Sequence, residues 1–341
     1  MGTESEGMGP PLPLHVLSEL QRVMGGPIMG RRVLRVLGVP AASRLWLRRS
    51  VLESEVGKAD EITVLIGVRN RLDYRLENSL RSLRDQTISP DRVTLLVVDY
   101  GSDTEYAGGL RAVCEHFDAR YLRLDGPEVW SRGRCLNAGL RRTDSKFVLF
   151  SDTDLLFSRG YLEGAIDLLR SSPLSLVGAP MRDLPEDSAT VCQAAAAEER
   201  SLDLEALRVG TPIRRGWTPH PSILAMHTII PRMIRGYDEF FETWGAEDED
   251  FARRLRRLGL RLRSMGDEVF YLHQWHRKFE GVPGEEAARA AERNRMYLEE
   301  AHSILRNGPR WGLGVDHGTQ NQVPGTQNQR SAEIDLHPSS S

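Results

Sequence analysis

The sequence predicts an α/β protein, an open sheet flanked by helices, and three observations support that fold class. Apolar runs rich in β-branched residues recur at ITVLIGV (62–68), VTLLVV (93–98) and KFVLF (146–150). Helix-period apolar positions follow the first two, at Leu76, Leu80 and Leu83 and at Leu110, Val113 and Phe117. The chain is 341 residues long, enough to bury a sizeable core. Continuous apolar strands alternating with amphipathic helices are the pattern of buried parallel strands covered by helices.

Before the first strand, residues 14–53 carry Arg22, Arg31, Arg32, Arg35, Arg44, Arg48 and Arg49 against Glu19 and Glu53, interleaved with apolar residues and Trp46. Gly25, Gly26, Pro27 and Pro40 break this stretch into short pieces. It reads as a helical extension over residues 1–60 that packs on the main domain with its arginines in water. The same composition suits peripheral contact with an anionic membrane. Past Val177 the alternation weakens. A polar loop is expected at DLPEDS (183–188), one helix over CQAAAAEERSLDLEAL (192–207), a strand over SILAMHTII (222–230) and a strand-like run at MGDEVFYL (265–272). Four acids open residues 247–258, four arginines follow, and Gly259 stands just beyond, so the charge order matches a helix dipole. Residues 308–341 are polar, repeat GTQNQ and end in PSSS, and a disordered tail is expected there. The main domain is thus read as 61–307.

Composition narrows the function. With 48 acidic and 45 basic side chains the net charge is -3, which gives no overall attraction to nucleic acid. Cys114, Cys135 and Cys192 are scattered and odd in number, which argues against a disulfide framework or a cysteine zinc site. No run of 18 apolar residues occurs, and the start MGTESEGMGPPLPLH lacks a basic and then apolar leader, so neither a cleaved signal nor a membrane span is expected. The expected location is the cytoplasm, with the 14–53 segment able to touch the inner membrane face.

Four segments carry chemistry. FSDTDLLF places Asp152 and Asp154 directly after the KFVLF strand, at the carboxyl edge where open α/β sheets bind ligands. A carboxylate pair of this kind suits a hard divalent cation whose remaining positions are filled by phosphates, and so a nucleoside diphosphate. In TWGAEDEDF (243–251), Trp244 offers a flat apolar face for a sugar ring and Gly245 permits close backbone approach. Asp248 in the same segment is placed to accept a hydroxyl proton. The competing reading is a solvated helix start. YLHQWHRKF (271–279) supplies His273 and His276; residues three apart on a strand face opposite sides, so His276 alone is the expected ligand unless the chain turns. Arginines at strand-to-helix turns, in VRNR (68–71) and WSRGRCLNAG (130–139), suit phosphate or a nucleobase edge.

Taken together and in this order, the segments resemble the GT-A glycosyltransferases of the family-2 type. The likeness is greater to the branch containing bacterial chondroitin-polymerase-like enzymes and animal beta-1,4-galactosyltransferases. The matching positions are Arg69, Asn70 and Arg71; Trp130, Arg132, Leu136, Asn137 and Gly139; Asp152 and Asp154; and Trp244, Gly245, Glu247, Asp248 and Asp250, over roughly residues 61–280. The resemblance implies a GT-A open mixed sheet, with a nucleotide-binding half at 61–155 and an acceptor-binding half at 156–307. It implies Asp154 and His276 as ligands of Mn²⁺ or Mg²⁺, with His273 as a further candidate. It places Arg69, Asn70, Arg71, Asp99, Arg132 and Asp152 around the donor, and Trp244, Gly245 and Glu247 around the sugars. Asp248 matches the catalytic base. The implied activity is metal-dependent, inverting transfer of a hexose or N-acetylhexosamine from a UDP-sugar to a hydroxyl of a glycan or lipid-linked acceptor, galactose or N-acetylgalactosamine being favoured. Two positions depart from the pattern. Tyr100 stands where many family-2 enzymes have a second acid that reads uracil, and His273 replaces a methionine, a change that suits Mg²⁺ as well as Mn²⁺.

Two other functions compete. A nucleotidyltransferase would release pyrophosphate, but no Gly-rich phosphate loop with lysine accompanies the first strand. A non-catalytic protein with a retained GT-A shell would bind a nucleotide sugar without cleaving it.

Overall fold

A computed structural model of the chain describes residues 41–54, 61–124, 129–213, 219–277 and 284–313. In order, the elements are α1 (Ala41–Leu52), β1 (Ile62–Val68), α2 (Tyr74–Arg84), β2 (Val93–Tyr100), α3 (Thr104–His116), β3 (Arg120–Leu124), α4 (Arg132–Arg141), β4 (Phe147–Ser151) and β5 (Leu155–Phe157). They continue with α5 (Tyr161–Ser171), β6 (Ser175–Gly178), β7 (Met181–Asp183), α6 (Ser188–Ala197), α7 (Leu204–Arg208), β8 (Ala225–His227), α8 (Ile229–Met233), α9 (Glu247–Arg257), β9 (Arg261–Ser264), β10 (Tyr271–His273) and α10 (Gly284–Glu300). The basic segment at 14–40 and the tail from 314 onward lie outside the described residues.

Seven strands form one sheet in the order β3-β2-β1-β4-β8-β6-β9. The four from β3 to β4 are parallel; β8 runs antiparallel to β4 and β6, and β9 lies parallel to β6. The chain winds outward from β1 to β3 and then returns to place β4 on the other side of β1. The switch point between β1 and β4 therefore opens a crevice at their carboxyl ends. A smaller sheet, β5-β10-β7, lies beyond it.

The apolar runs are continuous because both sheet faces are covered. Val64, Ile66 and Val97 pack in one core with Leu76, Leu80, Leu110 and Ile166, while Leu65, Val98 and Phe150 pack in the other with Leu136, Leu140, Phe251 and Leu255. Gly139 lets α4 lie close on the sheet, since a Cβ there would meet Val98 at 2.9 Å and Leu65 at 3.0 Å. From α1, Leu47 and Val51 join the second core.

Several expectations are corrected. The helix expected over 192–207 is two helices: Glu199 turns left-handed at φ 52°, and Asp203 caps α7 by accepting from the Ala206 N–H. Only Ala225–His227 of the run 222–230 is strand, followed by α8; the whole run is buried, which accounts for its mostly apolar composition whatever its conformation. Strand β10 begins at Tyr271, after a turn closed by Val269 N–H to the Gly266 carbonyl. The DLPEDS loop contributes Asp183 to β7 and Ser188 to α6. Within residues 308–313, where a disordered tail is expected to open, Trp311 is buried in the second core and Gly312 beside it is buried too, while their neighbours are exposed.

Candidate active site

The carboxyl ends of β1, β2 and β4 bring the expected donor residues to one edge. Asn70, at φ 50°, exchanges hydrogen bonds with Asp103: its side-chain amide donates to the carboxylate at 2.8 Å and its Oδ1 accepts from the Asp103 N–H at 2.7 Å. This pairing locks the β1 turn to the β2 turn. Arg69 lies half-buried beside it. Arg71 reaches Asp154 at 3.2 Å. Asp99 departs from its expected place at the nucleotide. It is fully buried, and its carboxylate accepts from the Tyr121 hydroxyl, from Arg123 at 2.8 Å and from the Ser102 N–H at 2.8 Å. Its alternation on β2 points it toward α3, so it supports the 101–103 turn from below. Tyr100, on the other face, packs edge-on against Trp130 at 5.6 Å.

Asp154, His273 and His276 come together, with ligand atoms within 4.8 Å of one another. The His276 Nε2 lies 3.5 Å and the His273 Nε2 3.8 Å from the Asp154 carboxylate. Both histidines are present because β10 ends at His273, so the strand alternation that would turn His276 to the opposite face does not continue. The Gln274 N–H donates to the Asp154 carbonyl at 2.9 Å, and its buried side chain hydrogen-bonds Asn78 and the Arg75 carbonyl beneath α2. Each Nδ1 is occupied, by Asp183 at 3.0 Å in His273 and by the Arg277 carbonyl at 2.8 Å in His276, which leaves both Nε2 atoms facing the carboxylate. One carboxylate and two imidazole nitrogens fit a divalent cation of intermediate hardness. Asp183 was absent from the sequence reading; only the pairing of β7 with β10, which sets it opposite His273, reveals it.

Arg132 links the two groups of expected residues by bridging two acids: its Nε donates to Asp152, also expected at the donor, at 2.7 Å, and its Nη1 to Asp248 at 2.7 Å. The Ser222 carbonyl accepts from it at 3.1 Å, and the Tyr237 hydroxyl at 3.3 Å. Tyr237 is fixed by stacking on Phe251 at 4.0 Å, and its backbone is gripped by Asn137, whose side chain donates to the Tyr237 carbonyl and accepts from its N–H. Neither Tyr237 nor Ser222 is among the expected residues: Tyr237 shortly precedes the TWGAEDEDF segment, and Ser222 acts through its backbone carbonyl, which no side-chain pattern marks.

Burial pushes Asp248 up to about 8, Arg132 opposes that rise, and the neighbouring Glu247 and Asp152 charges add to it. Burial likewise raises Glu247, again against Arg132. Burial alone would lower Arg132, but Asp152 and Asp248 hold its pKa well above the ordinary guanidinium value. The arrangement can therefore hold a proton-accepting carboxylate near neutrality, next to a fixed positive charge. Trp244 is 48% exposed, and Gly245 sits at φ 95°, a conformation glycine adopts readily. Thus Trp244, Gly245, Glu247 and Asp248 stand together at the start of α9, a few residues from the Arg132 bridge.

Residues 63–303 match the family described as glycosyltransferase-like family 2. The pre-mycofactocin glycosyltransferases of Mycobacterium tuberculosis strains CDC 1551 / Oshkosh and ATCC 25618 / H37Rv are each 30% identical over 209 residues, which is 60% of this chain and 40% of the relative. The chain thus spans about two fifths of the length of those curated relatives. Among solved structures, S. aureus TarS is similar at a TM-score of 0.48 and 14% identity, covering 63% of this chain and 37% of that one. The S. aureus TarS 1–349 structure in complex with UDP gives 0.47 and 16%, covering 63% and 60%. With its mixed sheet and with the family match running from β1 through α10, the chain belongs to glycosyltransferase-like family 2 and has a GT-A-type fold.

Proposed function

We propose that the domain is a metal-dependent, inverting glycosyltransferase that moves a hexose or N-acetylhexosamine from a UDP-sugar to a hydroxyl of a glycan or lipid-linked acceptor. The observation that carries this reading is the Asp152–Arg132–Asp248 bridge at 2.7 Å on each side, set at the same sheet edge as the Asp154, His273 and His276 cluster. It joins a candidate base to a candidate donor site. Asp248 accepts the proton of the attacking hydroxyl, and its raised pKa suits proton transfer near neutral pH. Arg132 orients Asp248 and Asp152. A divalent cation held by Asp154, His273 and His276 would supply positive charge to the leaving diphosphate. Two imidazoles beside one carboxylate favour Mn²⁺ over the harder Mg²⁺. The WGAEDED segment favours galactose or N-acetylgalactosamine as the transferred sugar.

Release of nucleoside diphosphate from a panel of nucleotide sugars, with Mn²⁺, Mg²⁺ or chelator, tests the reading. Wild type is expected to cleave one UDP-sugar in a metal-dependent way. Asp154→Asn and His276→Ala should abolish metal-dependent binding of that donor in calorimetry. Asp248→Asn should retain binding and lose about 10² to 10⁴ in turnover. Wild-type turnover in Asp248→Asn, or metal-independent donor binding in wild type, would refute the assignment.

A further inference from the structure

The backbone that carries Trp244 is held in a conformation that its own residues resist. Thr243, Gly245 and Ala246 have φ values of 65°, 95° and 73°. Two residues with a Cβ, one of them β-branched, therefore occupy the left-handed region within four positions. Such geometry persists only where the surroundings impose it.

Here they do so through α10. Asn294 is fully buried on that helix, and its side-chain amide donates to the carbonyls of Glu242 at 3.1 Å, Trp244 at 3.0 Å and Gly245 at 3.0 Å. The Asn294 Oδ1 accepts from Arg293, whose guanidinium also reaches the Glu242 carbonyl at 3.3 Å. From the opposite side the Thr243 N–H donates to the Trp130 carbonyl at 2.7 Å. Asparagine is a poor helix former, so propensity does not account for its place inside α10. What it does there is direct every side-chain donor to the peptide units flanking a half-exposed indole.

We propose that Asn294 is a positioning residue for the acceptor. It fixes the 242–246 turn so that the Trp244 indole is presented as a rigid platform for a sugar ring, next to the start of α9 that bears Asp248. The inference rests on the glycosyltransferase reading above and assigns a role to a helix outside the four motif segments. Because Asn294 acts through backbone held against strain, removing the strain must offset the loss of its amide. Glycine at position 243 would adopt the left-handed conformation without penalty.

The test uses the full-length chain with UDP and Mn²⁺ present. The emission of Trp244, taken as the difference between wild type and Trp244→Phe, is titrated with galactose, glucose, N-acetylglucosamine and their β-linked disaccharides. UDP affinity is measured in parallel by calorimetry. Wild type is expected to show saturable quenching by at least one sugar. In Asn294→Ala the half-saturating concentration should rise about tenfold or more, with UDP affinity within about twofold of wild type. Adding Thr243→Gly to Asn294→Ala should recover most of the loss. Quenching that is absent in wild type, unmoved in Asn294→Ala, or unrecovered in the double variant overturns the proposal. An equal loss of UDP and sugar binding in Asn294→Ala overturns it too, since the residue would then support the domain as a whole. Failure of the underlying function would look different: wild type would bind no UDP and no nucleotide sugar with Mn²⁺.

Discussion

At Arg132 one guanidinium answers two carboxylates, and the balance among its neighbours governs the proposed base. Asp248 works only when ionised. Burial, Glu247 and Asp152 raise its pKa, whereas Arg132 lowers it. The kcat/KM of the proposed reaction should therefore fall as pH drops through this raised value, with an acid limb well above the pH 4 of an ordinary carboxylate. Arg132→Gln removes the lowering charge, so the limb should move to still higher pH and turnover at pH 7 should drop about tenfold or more. Arg132→Lys should lie between, because a point charge cannot reach both acids as the guanidinium fork does. A pH–rate profile of Arg132→Gln that overlays wild type would show that the ion pair does not set the base. In the sequence Arg132 is one of many arginines beside a turn. Its two partners stand just after β4 and in α9, 20 and 116 residues further along the chain, and no local pattern pairs them with it.

At the level of the element, α9 sorts four consecutive acids by the geometry of the helix. Glu247 and Asp248 face the cleft, Glu249 pairs with Arg253 at the surface, and Asp250 turns inward. Asp250 meets Arg254 at 2.6 Å and Arg306 at 3.1 Å, all three buried, and Arg254 also donates to the Gly236 carbonyl at 2.9 Å. Removing one partner of such a set leaves uncompensated buried charge. Asp250→Ala should lower stability by about 3–5 kcal/mol in urea unfolding. A loss below about 1 kcal/mol would mean that the network contributes little. The helix itself was legible, from its charge order and from Gly259, which at φ 105° closes the end with the Leu260 N–H on the Leu255 carbonyl. The helix pattern by itself does not single out one acid, since four adjacent acids look alike until one helix face is covered; the motif match is what points to Asp248.

For the molecule as a whole, the domain reaches further along the chain than its composition suggests. Trp311 is 4% exposed, its ring lies under Arg141 at 5.3 Å, and the Gly312 N–H donates to Glu239 at 2.7 Å. Trp311→Ala should cost about 3–5 kcal/mol and unfold in the same single transition as the rest of the domain. A separate transition, or none lost, would mark residues 308–313 as an appendage. Among the described residues no helix is long and apolar enough to cross a membrane.

Short-range patterning is enough to specify the parts that depend on near neighbours. The apolar runs of β1, β2 and β4, the helices covering them, α9, and the order of motifs that marks the family are all written in stretches of ten or so residues. Tertiary structure decided which of those residues meet. The end of β10 at His273 brings two histidines rather than one to Asp154, strand alternation buries Asp99 beneath the 101–103 turn, and α4 carries Arg132 to Asp248 as well as to Asp152. The physical reason is the same in each case. A side chain's direction follows from local backbone period, whereas its partner depends on which face the rest of the chain has covered.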